Sequence, residues 1–137
     1  MPAIYRFDVK WGDTDAAGIV FYPNFYKWMD EATHHFFATA GFSSSRILAE
    51  RQTIIPLLEA HCQFKSPLQF EDEVEVQSEI QELRKKVFKI GHRFIKDGQP
   101  VAEGYEIRAW ALFDEKPKAF PIPEDIKEIL LAETSNR

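Results

Sequence analysis

PNFYKWMDEATHHFFATAG, residues 23–41, is the stretch on which the fold turns. Phe25, Trp28, Met29, Ala32, Phe36 and Ala40 recur at spacings of three or four, and Phe37 widens the stripe they form. That is the period of an α-helix with one broad apolar face. Pro23 stands where a first-turn proline is favoured, and Gly41 where a helix-ending glycine belongs. The spacing predicts one long helix over residues 23–40, whose apolar face must be covered by something else.

The flanks supply the cover. Residues 3–11, AIYRFDVKW, alternate, with Tyr5, Phe7, Val9 and Trp11 on one side, the pattern of a half-buried strand. Beyond Gly41 come a loop with a short helical piece over 42–52 and strands over roughly 53–65, 72–82, 86–96 and 101–114. EVEVQSEI alternates through Val74, Val76, Ser78 and Ile80, and KDGQP at 96–100 is a hairpin turn. EKPKAFPIP at 115–123 breaks the last strand, and 123–133 predicts a short terminal helix. The order is strand, long helix, then four strands in meander. It predicts an α+β fold over 1–137 as a single domain, an antiparallel sheet of about five strands wrapped around one long central helix. The sheet's other face and its open edge are available for a second copy, which predicts a homodimer.

Composition narrows the function. Of 137 residues, 45% are hydrophobic and 28% charged, enough for a real core without disulfides or a structural metal. The 14% aromatic share, with twelve Phe, predicts a Phe-rich core or aromatic surface hidden between subunits. A net charge of −5 argues against bulk binding of nucleic acid or anionic membrane, so an anionic ligand needs a local basic cluster. Cys62 is the single cysteine, which excludes an internal disulfide and fits a reducing compartment. The N-terminus has no signal pattern and no apolar run reaches the length of a membrane span, so a cytoplasmic location is expected.

Chemistry concentrates in WGDTDAAGIVFYPNFYKWMDEA, residues 11–32. Asp13 and Asp15 precede a small-residue turn and the helix start. Two carboxylates there can simply shape the turn. A calcium loop would place Ala17 and Asn24 at ligand positions that need better oxygen donors, and is rejected. The chemical reading uses the first amides of the helix, around Phe21 to Phe25, which lack intrahelical acceptors and polarise a carbonyl laid against them. A carboxylate a few residues earlier can attack that carbonyl or activate a water. A thiol leaves as thiolate with a pKa of about 8.5, so one carboxylate and an oxyanion hole suffice for a thioester.

This run, Gly-Asp-x-Asp-x-Ala-Gly-Ile-Val followed by aromatic-Tyr-Pro-Asn and Trp-x-Asp on the helix, resembles the signature of the 4-hydroxybenzoyl-CoA thioesterase family, within the hotdog superfamily. The resemblance implies a hotdog fold and hydrolysis of an acyl-CoA thioester, with a hydroxylated aromatic acyl group expected. It maps the catalytic carboxylate to Asp15 and the backbone N–H that holds the thioester carbonyl to Tyr22. Asp30 maps to the acid that reaches the ring substituent. Glu31, about 100° further round the helix, is the weaker candidate for the same contact. Family members commonly assemble as dimers of dimers with active sites at the dimer interface, so a homodimer or homotetramer is implied. CoA is part of the substrate and no cofactor or metal is expected.

The CoA phosphates require cations. Arg84, Lys85 and Lys86 in ELRKKVFK lie between two predicted strands, after a strongly acidic stretch. A solvated hairpin turn explains such a run as well. In the related thioesterases, however, a basic run at this place binds the nucleotide, and Arg and Lys suit phosphate as fork and as point charge. His34 and His35 are adjacent and cannot share a metal on one helix face. His61 and His92 have no ligand-spaced partner, and Cys62 is expected to be a buried apolar residue rather than a nucleophile. Competing readings are a non-catalytic acyl-CoA or acyl-carrier binding module, a thioesterase for short aliphatic acyl groups, and a dehydratase, which would need an Asp–His pair absent from this stretch.

Overall fold

In the computed structural model, which describes residues 3–135, the apolar stripe lies on one helix, α1, Pro23–Thr39. Phe25, Trp28, Met29, Ala32, Phe36 and Phe37 are all buried, and Thr33 with them. Fully burying a side chain of this size stabilises by about 1.5–3 kcal/mol. The helix closes in a Schellman turn: the Phe42 N–H reaches the Phe37 carbonyl at 2.8 Å and the Gly41 N–H the Ala38 carbonyl at 3.0 Å. Gly41 takes φ +95°, a left-handed value that a Cβ would oppose.

The stripe faces a five-stranded sheet built from β1 (Ala3–Asp8), β3 (Leu57–Phe64), β4 (Glu73–Leu83), β5 (Val87–Lys96) and β6 (Gln99–Ala109). Every neighbouring pair is antiparallel. The spatial order is β1-β4-β5-β6-β3. Only β4, β5 and β6 therefore form the expected meander. β1 occupies one side of β4, from Ala3 opposite Ser78 to Asp8 opposite Glu73. β3 is left with the open edge of β6, and residues 65–72 carry the chain across. The strand predicted over 53–65 is split at Pro56, which has no N–H to give a ladder. Its first part, β2 (Thr53–Ile54), pairs instead with β7 (Ala111–Leu112), and β7 with β8 (Lys118–Ala119), in a second, three-stranded sheet.

Among the described residues α1 has two shorter companions: α2 (Ser44–Arg51), where the short helical piece was expected over 42–52, and α3 (Glu124–Ser135), where the terminal helix was expected over 123–133. Strands of 10 or 11 residues run to about 33–36 Å, whereas the 17 residues of α1 reach only about 26 Å. The uncovered end of the sheet, at Ile80, Phe88 and Ile90, is closed by Ile126 and Leu130 of α3 in one core with Phe36, Phe37 and Trp110. A further correction concerns Trp11, placed inward by alternation. The strand ends at Asp8, a 3-10 turn over Trp11–Asp13 follows, and the indole is 74% exposed. Among the described residues no helix is long and apolar enough to cross a membrane.

The sheet's inner face sets what lies beneath α1. Ser78, His92, Gly104 and Cys62 stand side by side across β4, β5, β6 and β3. A Cβ on Gly104 would come within 2.7 Å of Met29 Sδ and 2.4 Å of the His61 carbonyl oxygen, so only glycine lets α1 approach β6 here.

Candidate active site

Between β1 and α1 the chain folds back on itself. The Lys10 N–H donates to Asp13 Oδ2 at 2.8 Å, which fixes the 3-10 turn. Asp15 then opens a tight loop. Its N–H reaches the Ile19 carbonyl at 2.9 Å, its carbonyl accepts from the Gly18 N–H at 2.9 Å, and its Oδ1 accepts from the Ala17 N–H at 2.8 Å. Asp13 fastens this loop to the helix: its carbonyl accepts both the Phe21 N–H at 2.8 Å and the Asn24 Nδ2 at 2.9 Å. The turn-forming role is thus real for Asp13, and Asp15 shares it through one oxygen while its side chain stays exposed.

Tyr22 is the residue just before the helix, and Pro23 behind it has no N–H. The Asn24 and Phe25 amides turn back to the Phe21 and Tyr22 carbonyls. Among the described residues the Tyr22 N–H has no acceptor. Sequence and structure therefore bring Asp15 and Tyr22 into one local unit, an exposed carboxylate and an open amide at the positive end of a 17-residue helix. Beside Tyr22 lies a hollow of about 390 Å³ lined by Ile19, Val20, Tyr22, Phe25, Phe64 and Leu68 among others. Its rings touch one another: Phe64 packs edge-on against Phe25 at 5.0 Å and against Tyr22 at 6.3 Å.

The other candidate residues lie elsewhere. Asp30 and Glu31 face opposite flanks of α1. Glu31 accepts the Tyr5 hydroxyl of β1 at 2.7 Å, and burial together with that carboxylate pushes the Tyr5 phenol up to about 12. Asp30 turns toward β6, where its Oδ1 takes Arg108 Nη2 at 2.7 Å; His34 Nε2 stands 3.3 Å away. Arg84, Lys85 and Lys86 occupy the β4–β5 turn, where Arg84 pairs with Glu82 at 2.7 Å and all three are exposed. That turn is at the α1 C-terminal end of the sheet, so about 25 Å of helix separates it from Tyr22 within one chain.

Reading the sequence alone missed a buried polar chain beneath α1. Ser78, Thr33, His92, Glu106 and Arg108 are all less than 5% exposed. The signal was available: Glu106 and Arg108 fall in phase with Ala102 and Gly104, on the face of β6 that alternation assigns to the core. Burial holds the His92 imidazole neutral, its pKa lowered to about 3 with the Arg108 charge adding to the effect. Cys62 is buried as expected, its thiol raised by burial to about 11.

Fold and site together define a hotdog protein with a carboxylate set before the open N-terminus of its longest helix. The chain belongs to the thioesterase-like superfamily, whose family model matches residues 9–130. It is 30% identical to the 4-hydroxybenzoyl-CoA thioesterase of Pseudomonas sp. strain CBS-3, over 88% of this chain and 92% of that one. It is 28% identical to the 1,4-dihydroxy-2-naphthoyl-CoA hydrolase of Synechococcus sp. strain CC9311, over 95% of this chain and 90% of that protein. Among solved structures, a gentisyl-coenzyme A thioesterase superposes with TM-score 0.84 at 51% identity, covering 91% of this chain and 99% of the other. A 4-hydroxybenzoyl CoA thioesterase variant complexed with 4-hydroxybenzoyl CoA superposes with TM-score 0.88 at 28% identity, covering 93% and 97%.

Proposed function

We propose that this protein hydrolyses an aromatic acyl-CoA thioester to the free acid and CoA. The observation that carries the reading is the pairing of the acceptor-less Tyr22 N–H with the exposed Asp15 carboxylate, next to an aromatic-walled hollow. The thioester carbonyl oxygen takes the Tyr22 N–H, and the helix N-terminus stabilises the oxyanion as it forms. Asp15 either attacks the carbonyl carbon itself or removes a proton from the attacking water. The C–S bond breaks, the thiolate leaves without needing a strong acid, and water supplies the oxygen and protons of the products. No cofactor takes part.

In this reading α1 is the central helix of the hotdog fold. Asp30, and more weakly Glu31, contact the acyl group from further along it, and Arg84, Lys85 and Lys86 hold the CoA phosphates. Because those cations and Asp15 stand at opposite ends of one sheet, the working unit is a homodimer or homotetramer. The relatives named for hydroxybenzoyl, gentisyl and dihydroxynaphthoyl thioesters support a ring-hydroxylated acyl group.

The test is release of free thiol from a panel of aryl- and alkyl-CoA esters by the wild type and Asp15→Asn. Asn retains the oxygen that accepts the Ala17 N–H, so the loop persists. Loss of about two orders of magnitude or more in kcat with substrate binding retained is expected. Full activity in Asp15→Asn removes Asp15 from the mechanism, and binding without turnover by the wild type would make the protein a carrier module instead.

A further inference from the structure

The buried chain beneath α1 has a fixed direction. Thr33 Oγ1 has one proton, and at 2.5 Å it goes to Glu106 Oε1, which as a carboxylate can only accept. Thr33 therefore receives its other bond from His92 Nε2–H, 2.9 Å away, and the neutral ring is left with Nδ1 as acceptor for the Ser78 hydroxyl at 2.7 Å. Glu106 is thereby pinned. It in turn takes Arg108 Nε at 2.8 Å and Nη2 at 3.2 Å on its two oxygens, while Arg108 Nη1 donates to the Ile55 carbonyl at 2.9 Å. A planar guanidinium held by three acceptors has no rotational freedom. Its remaining Nη2 proton points one way, to Asp30 Oδ1 at 2.7 Å.

The pair spans core and surface: the Arg108 side chain is 5% exposed and that of Asp30 53%. Both contacts to Asp30, from Arg108 and His34, fall on Oδ1, and Oδ2 has no donor among the described residues. We propose that Arg108 is the positioning residue that sets the orientation of Asp30, so that the free Oδ2 accepts a hydrogen bond from a hydroxyl on the acyl ring. The inference rests on the reading that Asp30 contacts the acyl group. It makes Arg108, which touches no substrate atom, a determinant of selectivity for hydroxylated over unsubstituted aryl thioesters. Lysine keeps the charge but has neither the plane nor the fork needed to hold two carboxylates at fixed angles.

The readout is the ratio of kcat/KM for 2-, 3- or 4-hydroxybenzoyl-CoA, whichever is preferred, to that for benzoyl-CoA. Four proteins are compared: wild type, Asp30→Ala, Arg108→Lys and the double variant Glu106→Leu/Arg108→Met. The double variant removes both buried charges at once, a change that buried pairs often tolerate, and keeps the test available if Arg108→Lys does not fold. The expected wild-type preference is about tenfold or more, the scale of one hydrogen bond to a charged group. Asp30→Ala should abolish it, and both Arg108 variants should reduce it to near unity, chiefly through KM for the hydroxylated ester. A merely structural Arg108 would slow both substrates together and leave the ratio intact, which would overturn the proposal. An unchanged ratio in Asp30→Ala would overturn it too, along with the assignment of Asp30, while hydrolysis of aryl-CoA itself would stand. Absence of any aryl-CoA hydrolysis by the wild type is the separate failure of the functional reading.

Discussion

His92 Nε2 of β5 lies 2.9 Å from the Thr33 hydroxyl of α1, with both side chains sealed between helix and sheet. Protonation would put a hydrogen on Nδ1, where the neutral ring accepts the Ser78 hydroxyl at 2.7 Å, and a second positive charge near Arg108. The folded protein holds His92 at about 3, against an ordinary value of 6.5. Above pH 6.5 both folded and unfolded forms carry a neutral ring, so the shift costs nothing. Below it the unfolded chain takes up a proton that the folded one refuses, so stability falls as pH drops from about 6.5 toward 3. The slope attributable to this one group is at most about 1.4 kcal/mol per pH unit. Urea midpoints should show His92→Gln less stable than wild type at pH 7.5, with the gap narrowing clearly by pH 5. A gap independent of pH would mean that His92 is not held neutral.

Gly104 makes a second, steric prediction. Alanine there puts a methyl 2.4 Å from a backbone carbonyl oxygen, which cannot rotate away as the Met29 side chain can. Overpacking of this kind costs about 1–3 kcal/mol. Gly104→Ala should lower the urea midpoint accordingly without changing the slope of the transition. An unchanged midpoint would mean that β3 and α1 yield at this point more readily than their packing implies.

Both residues sit where local sequence pattern is silent, and that separates the legible from the illegible parts of this chain. The 3.6-residue stripe from Phe25 to Phe37 is enforced over more than three turns, and the helix was readable to within a residue. Val74, Val76, Ser78 and Ile80 were readable for the same reason in period two. That Asp15 falls in a turn just before the helix start was legible because turn and helix start lie within nine residues of each other. The placement of β3 beyond β6 was not, because it depends on which strand edge β1 fills more than sixty residues away, and nothing in residues 57–64 encodes that. The joint role of Glu106 and Arg108 was not legible because it needs Thr33 and Asp30, brought in from α1 more than seventy residues away. Trp11 misled because alternation persists one turn past the point where the ladder with β4 ends.

The separation of Arg84–Lys86 from Asp15 yields the last prediction. If one substrate spans both, the phosphates and the thioester must be held by different copies of the chain. Arg84→Ala/Lys85→Ala/Lys86→Ala should raise KM with little change in kcat, and the wild-type KM should rise with salt, since these side chains are exposed and screened. A site built from two chains also permits rescue. Coexpression of Asp15→Asn with the triple-alanine variant makes mixed dimers in which one site has the defective carboxylate and the defective cations, and the other has neither. Random assembly of a two-fold dimer puts half the population in mixed pairs with one intact site in two, so about a quarter of wild-type activity should return at low substrate. Two variants that are each weak should then be strong together, at the wild-type KM. Activity no greater than the sum of the two separate preparations would mean that the cations and the carboxylate serve within one chain, or that the β4–β5 turn does not hold the phosphates at all.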